Sequence, residues 1–245
     1  MKEKIFYGEG LPYIDVSDLT GKLIVIEGTD KVGRSTQIVG MDGEGKPAGI
    51  EGLTKWLEIK GYGVVNTGWT RSPLLGPAID AVKRGNTLNQ ITFSVLYAAD
   101  FADRLENVII PALKGGFIVL ADRYMYTAFA RHTVRGVDPA WIRKIYGFAL
   151  VPDLVIYMKI GIGDLIKQTF STGRAMNYWE AGMDIGYPGS AYDSFVKYQT
   201  RVLEEFDNMT EEFKFKVIDA SRSIREVNRS LKRVIERFLE KDKPE

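Results

Sequence analysis

The residues best placed to do chemistry lie in one short run, Gly28-Thr29-Asp30-Lys31-Val32-Gly33-Arg34-Ser35, followed by Thr36. A glycine, four residues, a second glycine, a cation and a hydroxyl is the spacing of a phosphate-binding loop, here with Arg34 in place of the usual lysine. Glycines let backbone N–H groups turn inward around phosphate oxygens, and the start of a following helix adds partial positive charge. The Ser35 hydroxyl suits Mg2+. Arg34 keeps the cationic charge but carries a wider planar fork, so it would clamp phosphates differently from lysine. A plain glycine turn between strand and helix is the other reading of the same run. A second fragment, Gly43-Glu44-Gly45-Lys46, lacks both the hydroxyl and a preceding strand and reads as a decoy.

Composition removes competing chemistries. The 245 residues contain no cysteine and one histidine, His132. Disulfides, zinc ribbons, thiol nucleophiles and iron–sulfur clusters are excluded, as is a histidine-rich metal site. A serine–histidine–acid triad could use only His132, which reads as a surface or hinge residue rather than a proton carrier. Lysine plus arginine number 33 against 32 acids, for a net charge of +1. That balance points to no nucleic acid and no anionic membrane. No apolar run approaches the roughly 18 residues of a membrane span. The opening Met-Lys-Glu-Lys-Ile-Phe-Tyr is no signal peptide, so the expected location is cytoplasmic.

Elements must position the loop. Short apolar runs, Leu23-Ile24-Val25-Ile26, Val64-Val65, Phe117-Ile118-Val119-Leu120, Leu154-Val155-Ile156-Tyr157-Met158 and Phe215-Lys216-Val217-Ile218, alternate with helical patterns. Continuous apolar runs suit strands buried on both faces of a parallel sheet, and the alternation implies an α/β sandwich with right-handed crossovers. Residues 91–113 read as one helix with a core-facing stripe of Ile91, Val95, Ala98, Ala102, Leu105 and Ile109, and with Tyr97, Phe101 and Arg104 on another stripe. Ile224, Val227, Leu231, Val234, Ile235 and Phe238 repeat the logic at the end of the chain. Residues 1–20 read as an N-terminal extension and 21–245 as a single domain. Residues 40–49, with four glycines and a proline, read as an inserted surface loop.

Further motifs follow in a telling order. The segment Leu-Ile-Val-Ile-Glu-Gly-Thr-Asp-Lys-Val-Gly-Arg-Ser-Thr-Gln from Leu23 to Gln37 resembles the opening of thymidylate kinases. Thr70-Arg71-Ser72-Pro73 resembles their Thr-Arg-Glu-Pro segment, and Leu96-Tyr97-Ala98-Ala99-Asp100 their nucleoside-binding helix. Asp122-Arg123-Tyr124 with Thr127 resembles their Asp-Arg-Tyr motif and the serine after it. Pro152-Asp153-Leu154 and Val217-Ile218-Asp219-Ala220-Ser221 complete the series. Each piece alone is weak, but six in order across about residues 21–240 are specific.

The resemblance implies a three-layer P-loop kinase core with a five-stranded parallel sheet, helices on both faces, a small lid near residues 171–190, and a homodimer. It implies transfer of the γ-phosphoryl group of ATP to dTMP, with Mg2+, a reaction that asks for positioning and charge neutralisation rather than a covalent nucleophile. By resemblance, Gly28, Thr29, Asp30, Lys31, Val32, Gly33, Arg34, Ser35 and Thr36 hold the ATP phosphates. Asp30 also meets the acceptor sugar, and Lys31 reaches toward the γ-phosphate. Arg71 and Arg123 grip the acceptor phosphate, Tyr97 stacks on the base, and Thr127 lines the pocket near it. Ser35 and Asp122 hold the metal. Arg174 comes from the lid to the transition state.

The chain also departs from the pattern. Phe101 stands where the family often carries an arginine that reads the base, and Arg104, seven residues from Tyr97, is the candidate to replace it. Ala130-Arg131-His132 stands for Ala-Tyr-Gln, and Ser72 for the glutamate of Thr-Arg-Glu-Pro. These departures keep two other readings open: a kinase for another nucleoside monophosphate, or a nucleotide-binding homologue with little or no catalysis.

Overall fold

Alternate residues of each central strand feed two different cores, which is why the apolar runs are continuous. Leu23 and Val25 join one buried cluster with Val119, Ala121, Val155 and Tyr157, while Ile24 and Ile26 join a second with Ile118, Leu120, Ile156 and Met158. Each aliphatic side chain so buried contributes about 1.5–3 kcal/mol, which commits the sheet to the middle layer. The structure is a computed structural model and describes residues 3–70, 72–85, 89–171 and 176–241.

The five strands are β1 (Lys22–Glu27), β2 (Val64–Gly68), β3 (Ile118–Asp122), β4 (Leu154–Lys159) and β5 (Lys216–Asp219). They form one parallel sheet in the order β2-β3-β1-β4-β5. The helices among the described residues are α1 (Arg34–Val39), α2 (Leu53–Ile59), α3 (Gly76–Gly85), α4 (Gln90–Arg104), α5 (Ile110–Lys114), α6 (Met125–Val134), α7 (Pro139–Ile145), α8 (Ile162–Phe170), α9 (Ala191–Phe213) and α10 (Ile224–Lys241). The crossover after β1 leads to one side of the sheet and the crossover after β3 leads to the other. A crevice therefore opens between the carboxyl ends of these two neighbours, where open α/β sheets bind ligands. The register pairs Ile26 with Asp122, which sets residues 27–28 beside Arg123.

Three expectations need correction. The single helix over 91–113 is broken: α4 passes into a π-turn, Leu105–Ile109, before α5. Pro111 lacks an N–H and clashes with the carbonyl four residues back, so the ladder widens there. The inward stripe of α4 is also different. Ile91 and Val95 are 54% and 49% exposed, whereas Phe93, Tyr97, Phe101 and Arg104 are buried. Three- and four-residue spacing suits either stripe, and large aromatic rings gained the core side. At the sheet edge, Val217 is exposed and only Ile218 of β5 is buried.

The helix after the phosphate loop ends at Val39, capped by Gly40 in the left-handed region (φ 82°). Residues 41–47 are exposed. The N-terminal segment lies along residues 147–151, with Tyr7 N–H donating to the Ala149 carbonyl (2.8 Å) and Lys4 paired to Asp153 (2.6 Å).

Candidate functional site

The loop after β1 and the turn after β3 face each other across a cavity of about 260 Å³. Its walls include Asp30, Arg34, Ser35, Asp122 and Arg123 at the sheet end, with Tyr97 further out. Strain is concentrated here. Four non-glycine residues among those described have positive φ, and three of them border this crevice: Lys31 (64°), Thr70 (52°) and Arg123 (74°). Such conformations cost energy and persist only where the surroundings over-determine them. Gly28 (φ 148°) is required as glycine, because a Cβ there would lie 2.9 Å from the Met158 carbonyl oxygen.

Arg34 is 7% exposed and turns back on its own loop. Its Nε donates to Asp122 Oδ1 (2.7 Å), and one Nη donates to the carbonyls of Gly28 (2.8 Å) and Thr29. The wider fork thus reaches both the loop and the end of β3, which a lysine nitrogen could not do at once. Ser35 Oγ donates to the other oxygen of Asp122 (2.5 Å). Burial pushes the Asp122 pKa up, but Arg34 and Arg123 together with these hydrogen bonds outweigh it and hold the carboxyl below its usual value.

Asp30 takes two guanidinium groups, Arg123 on Oδ1 (2.5 Å) and Arg131 on Oδ2. Burial raises its pKa, but Arg131, Arg123, Arg34 and Lys83 overcome this and keep it well below the carboxylate range. Burial and the nearby Arg34 lower Arg123 to about 10, so it stays cationic at neutral pH. Beneath the cavity, Glu27 accepts from Tyr124 N–H (2.8 Å), Thr127 N–H (3.2 Å) and Thr127 Oγ (2.6 Å), which pins the turn that carries Arg123. Burial raises the Glu27 pKa despite these donors.

The far end of the cavity is aromatic. Tyr97 stacks on Trp69 (5.1 Å) and meets Phe93 edge-on (4.7 Å), and Phe93 stacks on Trp179 (5.0 Å). Trp179 is fixed by its indole N–H to the Lys83 carbonyl (3.0 Å) and by its own carbonyl to Arg135 (3.0 Å). Arg135 also pairs with Asp184 (2.7 Å), so the segment over 176–185 is tied to α6. Lys31 lies 3.9 Å from Glu180, another wall residue.

Two expected binding residues are not on this wall. Thr127 is fully buried and engaged with Glu27, because its hydroxyl is the nearest donor to a carboxylate that has no water. Arg104 is 2% exposed and pairs with Asp100 (2.9 Å) on its own helix, with its guanidinium 5.4 Å from the Phe101 ring centroid. Its helix face packs into the core, so Arg104 does not replace the missing base-reading arginine. The Val32 side chain also belongs to the core, which leaves only its backbone to the loop's function. Arg71 and Arg174 lie outside the described residues.

Sequence reasoning missed Arg131, His132, Arg135, Lys83 and the Trp69–Phe93–Trp179 cluster. His132 is 3% exposed, not a surface residue, and it lines the cavity. A usable signal was present: Thr127, Arg131 and Arg135 recur every four residues, which places two cations on one face of α6 above Arg123.

A site that grips anions from two sides and ends in aromatic rings fits a phosphorylated ligand with a flat base. Comparison with known proteins agrees. The family model described as thymidylate kinase matches residues 38–231. A "Probable thymidylate kinase 2" of Saccharolobus solfataricus is 35% identical over 202 residues, covering 82% of this chain and 94% of the relative. A "Probable thymidylate kinase" of Thermococcus gammatolerans is 28% identical and covers 89% and 98%. A "Thymidylate kinase" of Caldicellulosiruptor saccharolyticus is 29% identical and covers 91% and 100%.

Proposed function

Because the chain belongs to the thymidylate kinase family, we propose that it transfers the γ-phosphoryl group of ATP to dTMP, yielding dTDP and ADP. The observation that carries this reading is the pairing of two phosphate grips across one cavity, the 28–36 loop on one side and Arg123 with Arg131 on the other. A 5′-phosphate oxygen of dTMP attacks the γ-phosphorus, and the bond from that phosphorus to the β–γ bridging oxygen breaks as ADP leaves. Catalysis is then positioning and charge neutralisation.

The backbone of Gly28, Thr29, Asp30, Lys31, Val32 and Gly33, with Arg34, Ser35 and Thr36, holds the triphosphate. Asp30 orients Arg123 and Arg131 and meets the acceptor sugar. Arg123, with Arg71, grips the acceptor phosphate; a guanidinium has five donors, so its contacts with Asp30 and Gly28 leave capacity for a ligand. Tyr97 faces the base, and Arg174 serves the transition state.

Ser35 and Asp122 suit Mg2+, since a hydroxyl and one carboxylate lie together at the loop's end. Mg2+ takes few protein ligands and keeps waters and substrate phosphates for the rest. When bound it neutralises charge on the β- and γ-oxygens. We place the protein in the cytoplasm; no helix among the described residues is long and apolar enough to cross a membrane. A homodimer would cover Ile91 and Val95 on α4, and sedimentation analysis tests it.

Phe101 is fully buried among Tyr124, Tyr146 and Phe148, and it keeps a second reading in view, a kinase for another nucleoside monophosphate. A coupled ADP-release assay with MgATP and a panel of nucleoside and deoxynucleoside monophosphates separates the two. Turnover is expected to be fastest with dTMP. No turnover of dTMP at micromolar enzyme overturns the reading.

A further inference from the structure

With Phe101 and Arg104 both turned to the core, α4 offers no guanidinium to a base. A different element supplies a polar group. The His132 ring, on α6, lines the cavity between Tyr97 (5.8 Å) and Phe93 (6.3 Å), the two rings at its aromatic end. Its Nδ1 lies 2.8 Å from Ser94 Oγ, and Ser94 donates its own proton to the Gln90 carbonyl (2.7 Å). A hydroxyl has one proton to give. With that proton on Gln90, the imidazole proton must sit on Nδ1 and point at Ser94, which leaves a lone pair on Nε2. No described group hydrogen-bonds Nε2. Burial, with Arg135 and Arg131 nearby, pushes the pKa down to about 3, so the ring stays neutral at working pH.

Resting on the thymidylate reading above, we propose that His132 Nε2 is the acceptor that reads the N3–H of the thymine, with Ser94 as the positioning residue that fixes the tautomer. Thymine and uracil carry a donor at N3, whereas cytosine presents a lone pair there, which would face the lone pair of Nε2. A site built to hydrogen-bond one edge rejects an analogue that lacks the matching group, because its own polar atom is left unpaired. The expected discrimination is about 10- to 100-fold for one such mismatch. The assignment makes His132 a specificity residue and gives it no proton-transfer role.

Two measurements test this. The chain has one histidine, so a long-range ¹H–¹⁵N spectrum reports a single imidazole. Expected is a protonated Nδ1 and an unprotonated Nε2 from pH 5.5 to 8, with the Nε2 resonance shifting when dTMP is added. The opposite tautomer, or protonation of the ring within that range, overturns the assignment. Second, calorimetry compares dTMP, dCMP and N3-methyl-dTMP on the wild type, His132→Phe, Ser94→Ala and Ser94→Thr. The wild type should prefer dTMP by about 10- to 100-fold over each analogue. His132→Phe should collapse that preference while MgATP affinity holds, Ser94→Ala should weaken it, and Ser94→Thr should restore it. A folded His132→Phe that keeps the preference overturns the proposal. If that variant does not fold, the N3-methyl ligand on the wild type makes the same comparison. Binding of dTMP without phosphorylation sinks the kinase reading and leaves the base assignment standing; equal binding of dTMP and dCMP does the reverse.

Discussion

Replacing Arg34 with methionine probes the contact that the variant loop depends on. Methionine fills much the same volume as the arginine stem, so little cavity is created. What disappears is the bond to Asp122, whose side chain is 10% exposed against 8% for Arg34, and the bonds to two loop carbonyls. Removing one partner of a buried pair costs about 3–5 kcal/mol. Two effects reduce this. Asp122 keeps the Ser35 hydroxyl, and Arg123 is relieved of a like charge that lowers its pKa. The expected net loss is about 2–3 kcal/mol. At roughly 2–4 °C per kcal/mol for a chain of this length, Tm at pH 7 should fall by about 4–12 °C.

The pH dependence has a definite sign. The folded-state pKa of Asp122 is depressed from 3.8, so its contribution is fully present above that value and is lost as pH falls through the folded pKa. The gap between wild type and variant should therefore be constant from pH 5.5 to 7 and narrow below about pH 4. Thermal melts followed by circular dichroism measure both. An unchanged Tm at pH 7, or a gap that widens in acid, refutes the idea that Arg34 ties the loop to β3. Loss of a cation aimed at developing phosphate charge should also lower kcat/KM by about 10²–10³-fold.

Other perturbations have equally definite outcomes. Asp30→Asn removes the anion between Arg123 and Arg131, and kcat/KM for the acceptor should drop at least about tenfold, one charged contact's worth; a change under twofold would show that Asp30 does not position them. Gly28→Ala forces a Cβ against the Met158 carbonyl and should abolish measurable ATP binding by calorimetry. Gly33→Ala meets open space and carries only the strain of φ 90°, about 1–2 kcal/mol, so binding should survive in weakened form. Glu27 has a raised pKa, so between 4.5 and that higher value the folded state holds the extra proton and stability falls as pH rises. Glu27→Gln should erase that slope in urea melts taken across the window, and a persisting slope would assign it to another group.

The sequence alone carried the strand runs, the phosphate-binding turn and the ordered motifs, because these depend on local chemistry: period, glycine placement and fixed residue spacing. Composition was equally decisive in removing thiol and histidine-based chemistry. It could not tell which stripe of α4 faces inward, since Ile91 with Val95 and Phe93 with Tyr97 both obey helical spacing. Only packing against α6 and the sheet settles that. Nor could it show that Thr127 serves Glu27, that Arg104 serves Asp100, or that the phosphate-loop arginine reaches Asp122, 88 residues away. Those partners are far apart in the chain, or equally available to several others, until the parallel register brings the ends of β1 and β3 together. His132 shows the same limit most sharply: as one letter it is an isolated titratable ring, and only its neighbours Ser94, Arg131 and Arg135 decide that it stays neutral and which nitrogen carries its proton.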